Sequence, residues 1–448
     1  MAHSIQRVAL GFMAAFGVLA LVLGVLSIAS PELALRDDNL RRVFAEQHIQ
    51  RGAIDDRADR VLAETIALSG TLVRRYPAID AAPAIGYSSI NLGRSGVEEA
   101  LDSVLRGPYD FIDQLLHRER RGRNVRVTID LQTQHDLAAQ FQQPGAGVIL
   151  SIPDGAVLAL ESHPSYDPNT LDENWKSLAT DPTAPLLNRA TQGLYQPGAA
   201  FETLLLADAL ENGRAALTTP LAQPTEPVAI GGLVLKCTEV VTSVMTMADA
   251  YAAACPAPFA DLGAALGDAA LISTTQRWHL DAPPPLEIRT AAALTTTFDL
   301  STTQALNAFA TGQGPLTISP LQMALVAATV GNHGLMPAAY LVQDIQSIDG
   351  RWVPYRRGDP AWSPLSARII SGQTATEILA AMRAEDNVAG HSGTAISGDK
   401  QLSWFIGLAP IDQPRYAIAV LIESAPGSAG AQAEIIGRAA LKALLAGQ

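Results

Sequence analysis

Residues 186–213 read LLNRATQGLYQPGAAFETLLLADALENG, and the turn inside them, Tyr195-Gln196-Pro197-Gly198-Ala199-Ala200-Phe201-Glu202, decides how the chain is read. Pro197-Gly198 breaks the chain. An apolar-rich segment with Leu204, Leu205, Ala207, Asp208 and Leu210 follows, closed by Asn212-Gly213. Glycine at that end is the usual left-handed helix stop, so the stretch predicts a turn feeding a helix. A helix start presents free backbone N–H groups and the positive end of the dipole, which suits a nucleophile or an anion. Yet the first turn here carries two alanines and a carboxylate.

Around this turn the pattern is that of a sheet covered by helices. Residues 125–130 (VRVTID) read as a strand and 131–141 (LQTQHDLAAQF) as a helix. Residues 147–162 (GVILSIPDGAVLALES) are two strands around Pro153-Asp154-Gly155, a hairpin signature. Helical and loop segments run to about Pro360. Residues 402–410 (LSWFIGLAP) and 415–424 (RYAIAVLIES) then return to strands, and 431–445 close with a helix. An early hairpin, late antiparallel strands and helices between them predict an α/β chain of the α+β type, with one mixed, mainly antiparallel sheet. No internal repeat is visible.

A length of 448 residues allows two or three domains, each with its own core. A net charge of −13 argues against nucleic acid as the main partner. The basic run at 117–126 (HRERRGRNVR) reads as a solvated linker, with an anionic surface contact as the alternative. Val8 to Ser30 holds no charged residue across 23 positions. As a helix it is about 34 Å long, enough to cross a bilayer. It exceeds the hydrophobic region of a signal peptide, so an uncleaved anchor is favoured over cleavage near Ala29. Arg7 precedes the span while Arg36, Arg41 and Arg42 follow it, so charge alone does not orient it. With no second span, the large domain is placed outside the membrane.

Cys237 and Cys255 stand 18 residues apart; spacing alone leaves open a disulfide or two buried thiols. The eight histidines include no pair at i, i+3 or i, i+4, so no metal site is expected. No G-x-x-x-x-G-K-[ST] occurs, and no cofactor is implied.

Several further stretches carry a resemblance. In the N-terminal third these are Arg51-Gly52-Ala53-Ile54-Asp55-Asp56-Arg57, Arg75-Tyr76-Pro77, Gly86-Tyr87 and Gly93-Arg94-Ser95-Gly96-Val97-Glu98. Later come Val127-Thr128-Ile129-Asp130, then residues 159–169 (ALESHPSYDPN), 185–190 (PLLNRA), 312–324 (GQGPLTISPLQMA) and 389–395 (AGHSGTA). In this order and spacing the chain resembles the class B penicillin-binding proteins, membrane-anchored transpeptidases that cross-link peptidoglycan. One departure is Ala58-Asp59, where the family often has Asn-Gly. The resemblance implies a short N-terminus (1–7), an anchor (8–30), and a small N-terminal module (31–124) that begins with a charged stalk at Pro31–Arg42. A transpeptidase domain of the serine β-lactamase-like fold (125–448) would follow.

That chemistry needs three clusters: S-x-x-K for nucleophile and base, S-x-N, and K-T-G. A serine hydroxyl is a poor nucleophile until a base stands within hydrogen-bond reach. Alignment puts Ala199 at the nucleophile and Glu202 at the base, while Ala254-Cys255-Pro256 falls at S-x-N. His391-Ser392-Gly393 falls at K-T-G, a milder change, since some relatives use His there. Ser392, Gly393 and the backbone of Thr394 remain to bind a peptide carboxylate or carbonyl. The four lysines, Lys176, Lys236, Lys400 and Lys442, fall outside the clusters. Ser397-Gly398-Asp399-Lys400 spells S-x-x-K but reads as a turn between strands. Cys255 is the other candidate nucleophile near the cleft.

The resemblance and its departures imply a pseudo-transpeptidase: a single-pass membrane protein that scaffolds or regulates cell-wall assembly or division. Class B relatives work beside SEDS-type glycan polymerases, so such a polymerase is the expected partner. One alternative is a non-covalent receptor for peptidoglycan stem peptides. Another is an enzyme that uses Glu202 with His391; against it stands a plain Glu–His hydrogen bond closing the cleft.

Overall fold

The computed structural model describes residues 2–29, 48–68, 70–108, 120–152, 154–230, 232–238, 246–293, 298–355, 367–424 and 431–447. The expected stalk at Pro31–Arg42, the start of the basic run at 117–119, and Pro153 of the hairpin turn lie outside them. The first helix, α1 (Ala2–Ala29), contains a stretch Ile5–Val25 with a mean hydropathy of 2.5 and no buried side chain. It is long and apolar enough to cross a membrane.

Next come strands β1 (Ile54–Asp55), β2 (Val61–Leu68) and β3 (Thr71–Arg75). Strand β4 (Val125–Val127) lies beside β1 in parallel, Ile54 opposite Val125. Helix α2 (Leu131–Ala138) follows, started by Asp130, whose side chain accepts from the Thr133 N–H. The predicted hairpin is present as β5 (Gly145–Ser151) and β6 (Val157–His163). Helices α3 (Glu202–Glu211), α4 (Pro256–Leu266) and α5 (Pro320–Gly331) fill the middle of the chain. Two short strands, β7 (Val342–Gln346) and β8 (Trp352–Pro354), precede β9 (Arg383–Glu385). The long strands β10 (Val388–Ser397), β11 (Lys400–Ala409) and β12 (Tyr416–Ser424) follow, and α6 (Gln432–Ala446) ends the chain.

The strands make two six-stranded sheets. The main one runs β6-β5-β12-β11-β10-β9, antiparallel throughout; the other runs β8-β7-β4-β1-β2-β3 and holds the parallel β1–β4 pair. The apolar runs of β11 and β12 follow from burial on both faces. Side chains alternate along a strand. Trp404, Ile406 and Leu408 enter one core with the fully buried α5, while Phe405 enters the other with Ala433, Ile436 and Leu441 of α6.

The motifs of the N-terminal third form a buried ion network rather than a reactive site. Arg51 donates to Glu98 (2.7 Å) and to Asp102 (2.6 Å), and Arg74 donates to the other Glu98 oxygen (2.6 Å) and to the Gly52 carbonyl (2.8 Å). Burial works to raise the Glu98 pKa, but Arg74 and Arg51 hold it below the usual carboxylate range. The Asp56 carboxylate accepts from the N–H groups of Ala58 (2.8 Å) and Leu131 (3.1 Å), tying the module's turn to the start of α2. Asp59, where the family often has glycine, adopts a positive φ of 64° and is held by Arg126 (2.9 Å). Aspartate is among the residues that tolerate that region.

Candidate active-site cleft

The turn at Tyr195–Glu202 is built against β10. Tyr195 exchanges backbone hydrogen bonds with Ile318 (2.9 and 2.8 Å), and the Gly198 N–H donates to the Gly312 carbonyl (3.0 Å). Gly198 has a φ of +53°, and a Cβ there would lie 2.0 Å from the Thr394 carbonyl oxygen. Glycine is therefore required for this approach. Gly393 answers from the strand side: a Cβ there would stand 2.7 Å from the Ala200 nitrogen. Gly198–Phe201 form a 3₁₀ turn and the α-helix proper begins at Glu202. It ends at Glu211, with Gly213 at a positive φ of 63°, as the sequence predicts.

Glu202 is 0 % exposed, and neither of its side-chain oxygens has a hydrogen-bond partner among the described residues. Burial alone pushes its pKa well above the usual carboxylate range, which favours the protonated form. His391 is 2 % exposed, and its ring stacks on Tyr251, 4.2 Å between centroids and 11° between planes. Its Nε2 lies 3.0 Å from the Ala199 carbonyl oxygen. A carbonyl only accepts, so Nε2 carries the proton and Nδ1 is left as a buried acceptor without a partner. Burial, opposed by that carbonyl and by Glu434, pulls the His391 pKa down to about 4.

The expected Glu–His hydrogen bond is not formed. His391 Nε2 stands 3.9 Å from Glu202, beyond hydrogen-bond reach, and gives its proton to the main chain instead. Burial disfavours the charged form of each, raising the Glu202 pKa and lowering that of His391.

The S-x-N positions also converge on the cleft. Ala254 follows the helix Met247–Ala252 in a left-handed conformation (φ 48°), Cys255 caps α4, and Pro256 takes its first position. Cys255 is bonded to Cys237, which settles the open pairing as a disulfide and removes Cys255 as a nucleophile. That bond fastens the strand Leu233–Leu235 and its neighbour Lys236 beside Pro256, so Lys236 lines the cleft. Sequence spacing set Lys236 apart from every cluster; the disulfide brings it to the wall. It is exposed there, whereas the family's base position is the buried Glu202. Lys400 sits at the β10–β11 turn, paired with Glu423 (2.5 Å), and Lys442 on α6 pairs with Asp386. Lys176 is exposed on the helix Leu171–Thr180.

Together these segments enclose a cavity of about 460 Å³. Ala199, Glu202, Ala254, Pro256, Ser392 and Thr394 all line it, so the three clusters read from the sequence meet in space. His391 lies behind the wall, against Ala199. Ser392 donates to Glu434 of α6 (2.6 Å), a lining residue that sequence reasoning missed. The Ile396 N–H donates to the Gln313 side chain (3.1 Å), which steadies the strand. No group among the described residues stands ready to attack a carbonyl from the Ala199 position: a methyl replaces the hydroxyl, and a buried carboxyl replaces the amine.

The family description of the penicillin binding protein transpeptidase domain matches residues 145–442. The chain is 30 % identical to the peptidoglycan D,D-transpeptidase PbpA of Mycolicibacterium smegmatis, over 99 % of each chain. It superposes on the crystal structure of PBPA from Mycobacterium tuberculosis with a TM-score of 0.76 at 30 % identity, covering 88 % of this chain and 99 % of that one. The penicillin G acyl-enzyme complex of the same relative gives a TM-score of 0.77 at 29 % identity, with 88 % and 99 % covered.

Proposed function

This chain belongs to the penicillin-binding protein transpeptidase family, and on that premise we propose that it serves peptidoglycan synthesis by binding rather than by acyl transfer. The observation that carries the reading is the pair Ala199 and Glu202 at the head of α3. Acylation needs a hydroxyl and a base within reach of it. Here the first is a methyl and the second a fully buried carboxyl whose pKa burial raises. In another serine hydrolase, loss of the nucleophile alone costs about 10⁶ in rate. Hydroxyls do line the cavity, at Thr238, Thr311, Ser392, Thr394 and Ser403, but none of them belongs to the turn at Ala199–Glu202.

On this reading α1 is the single-pass anchor and residues 125–448 are the transpeptidase-like domain outside the membrane. Residues 31–124 form the module that meets a partner, for which a SEDS-type polymerase is the class of choice. The intact ion network around Glu98 supports a module kept for its shape. The test is covalent labelling of the full chain in detergent with fluorescent penicillin. No band is expected from the native chain, nor from Ala199→Ser, because a buried carboxyl at Glu202 stands in place of the lysine that would take the serine proton. A stoichiometric band on the native chain, abolished by prior denaturation, would sink the reading. Co-purification with a polytopic membrane polymerase, lost on deleting residues 1–124, tests the partner.

A second reading keeps the cleft as a non-covalent receptor for stem peptides, supported by its open volume and the lining strand at Ser392–Thr394. Calorimetry with D-Ala-D-Ala peptides, free and amidated at the C-terminus, separates the two: heat from either at millimolar peptide favours the receptor, and none from both favours a scaffold alone.

A further inference from the structure

The wall on which a ligand carboxylate was expected already holds an anion from the chain's own last helix. Ser392 Oγ donates to Glu434 Oε2 (2.6 Å), while Arg438 Nε donates to Glu434 Oε1 (2.6 Å). Arg438 is anchored away from the cavity: it donates to the carbonyls of Val388 (2.9 Å) and Arg383 (3.2 Å) and lies 5.4 Å from the centre of the Phe405 ring. Glu434 lines the cavity and Arg438 does not, so this ion pair turns its negative end toward the ligand space. Burial works to raise the Glu434 pKa, but Ser392 and Arg438 hold it below the usual carboxylate range. A hydroxyl has one proton to donate, and Ser392 has given it to Glu434. A carboxylate arriving at Ser392 therefore finds no donor there and meets a like charge.

Elsewhere on the lining, both oxygens of Glu202 are buried and unpartnered. A carboxyl so deeply buried adds no positive charge to the lining. Lys236 is the one cation among the described lining residues, and it is exposed at the edge. An ammonium group, a cation with three donors, is the complement of the Glu434 carboxylate on this wall.

We propose that Glu434 sets the charge preference of the cleft, making it a site for ligands that carry a primary ammonium and excluding those that present a carboxylate at Ser392. This rests on the binding reading above, and it narrows the ligand class.

The test uses the full chain in detergent and two peptides of equal length, followed by calorimetry. One is Nα-acetyl-L-Lys-D-Ala-D-Ala-amide, with a free ammonium and no carboxylate. The other is the diacetylated peptide with a free C-terminal carboxylate. The native chain is expected to bind the cationic peptide about tenfold more tightly or better, and Glu434→Gln to narrow the gap to about threefold or less. Ser392→Ala, which keeps the charge of Glu434, should retain the preference; it is the second variant if Glu434→Gln does not fold. Equal or tighter binding of the anionic peptide, an unchanged preference in Glu434→Gln, loss of the preference in Ser392→Ala, or no binding of either peptide at millimolar concentration overturns the proposal. Intact mass after penicillin treatment is read separately, since an adduct there contradicts the non-acylating reading whatever the charge preference.

Discussion

Glu202 and His391 shift in opposite directions for one reason: each is buried, and each avoids its charged form. Burial raises Glu202 well above 4.5, and it lowers His391 from 6.5 to about 4. For Glu202 the fold holds the proton more tightly than the unfolded chain does, so its contribution is intact below 4.5 and erodes as pH rises. For His391 the fold holds the proton less tightly, so its contribution is intact above 6.5 and is lost as pH falls toward about 4. The two slopes oppose each other, neither steeper than about 1.4 kcal/mol per pH unit, and the His391 slope is gone above 6.5. Glu202→Gln should therefore raise the melting temperature over the native chain, by more at pH 8 than at pH 5. A difference that does not change with pH would mean that the carboxyl is ionised in the fold.

At the scale of elements, the cleft depends on two close joins. The first is Gly198 against β10, where positive φ and the Thr394 carbonyl together exclude a side chain. Gly198→Ala should lower stability by about 2 kcal/mol or more, read from the urea midpoint. An unchanged midpoint would show that the turn can leave the strand without loss. The second join is the Cys237–Cys255 bond, which closes a loop of 18 residues. Replacing both cysteines by serine should cost about 3 kcal/mol by the loop-entropy argument. The fastening of Lys236 to the cavity wall should go with it. Urea unfolding of the double variant beside the native chain checks this, and equal midpoints would count against it.

Across the whole molecule, the N-terminal strands and later ones share one sheet, since β1 to β3 continue through β4 into β7 and β8. A defect in the module should therefore be felt beyond it. Glu98 stands between two arginines with no access to water, and removing it leaves Arg51 and Arg74 without their shared buried partner. Glu98→Ala is expected to cost about 3–5 kcal/mol and to lower the melting temperature of the full chain. A drop under about 1 kcal/mol would mean that the network is dispensable.

The sequence by itself determined the family, the turn feeding α3, the hairpin of β5 and β6 and the closing strands. It determined also the absence of a nucleophile at Ala199 and of a base at Glu202. All of these rest on residue identity and local periodicity, which the order of the chain displays. The tertiary structure alone decided what the remaining side chains do. His391 meets Ala199 across 192 positions and Glu434 reaches Ser392 across 42, distances along the chain over which spacing carries no geometry. The disulfide and the approach of Lys236 were undecided for the same reason. Charge state was likewise beyond reach: the sequence pairs Glu202 with His391 in a hydrogen bond, and only their removal from water shifts both against their charged forms.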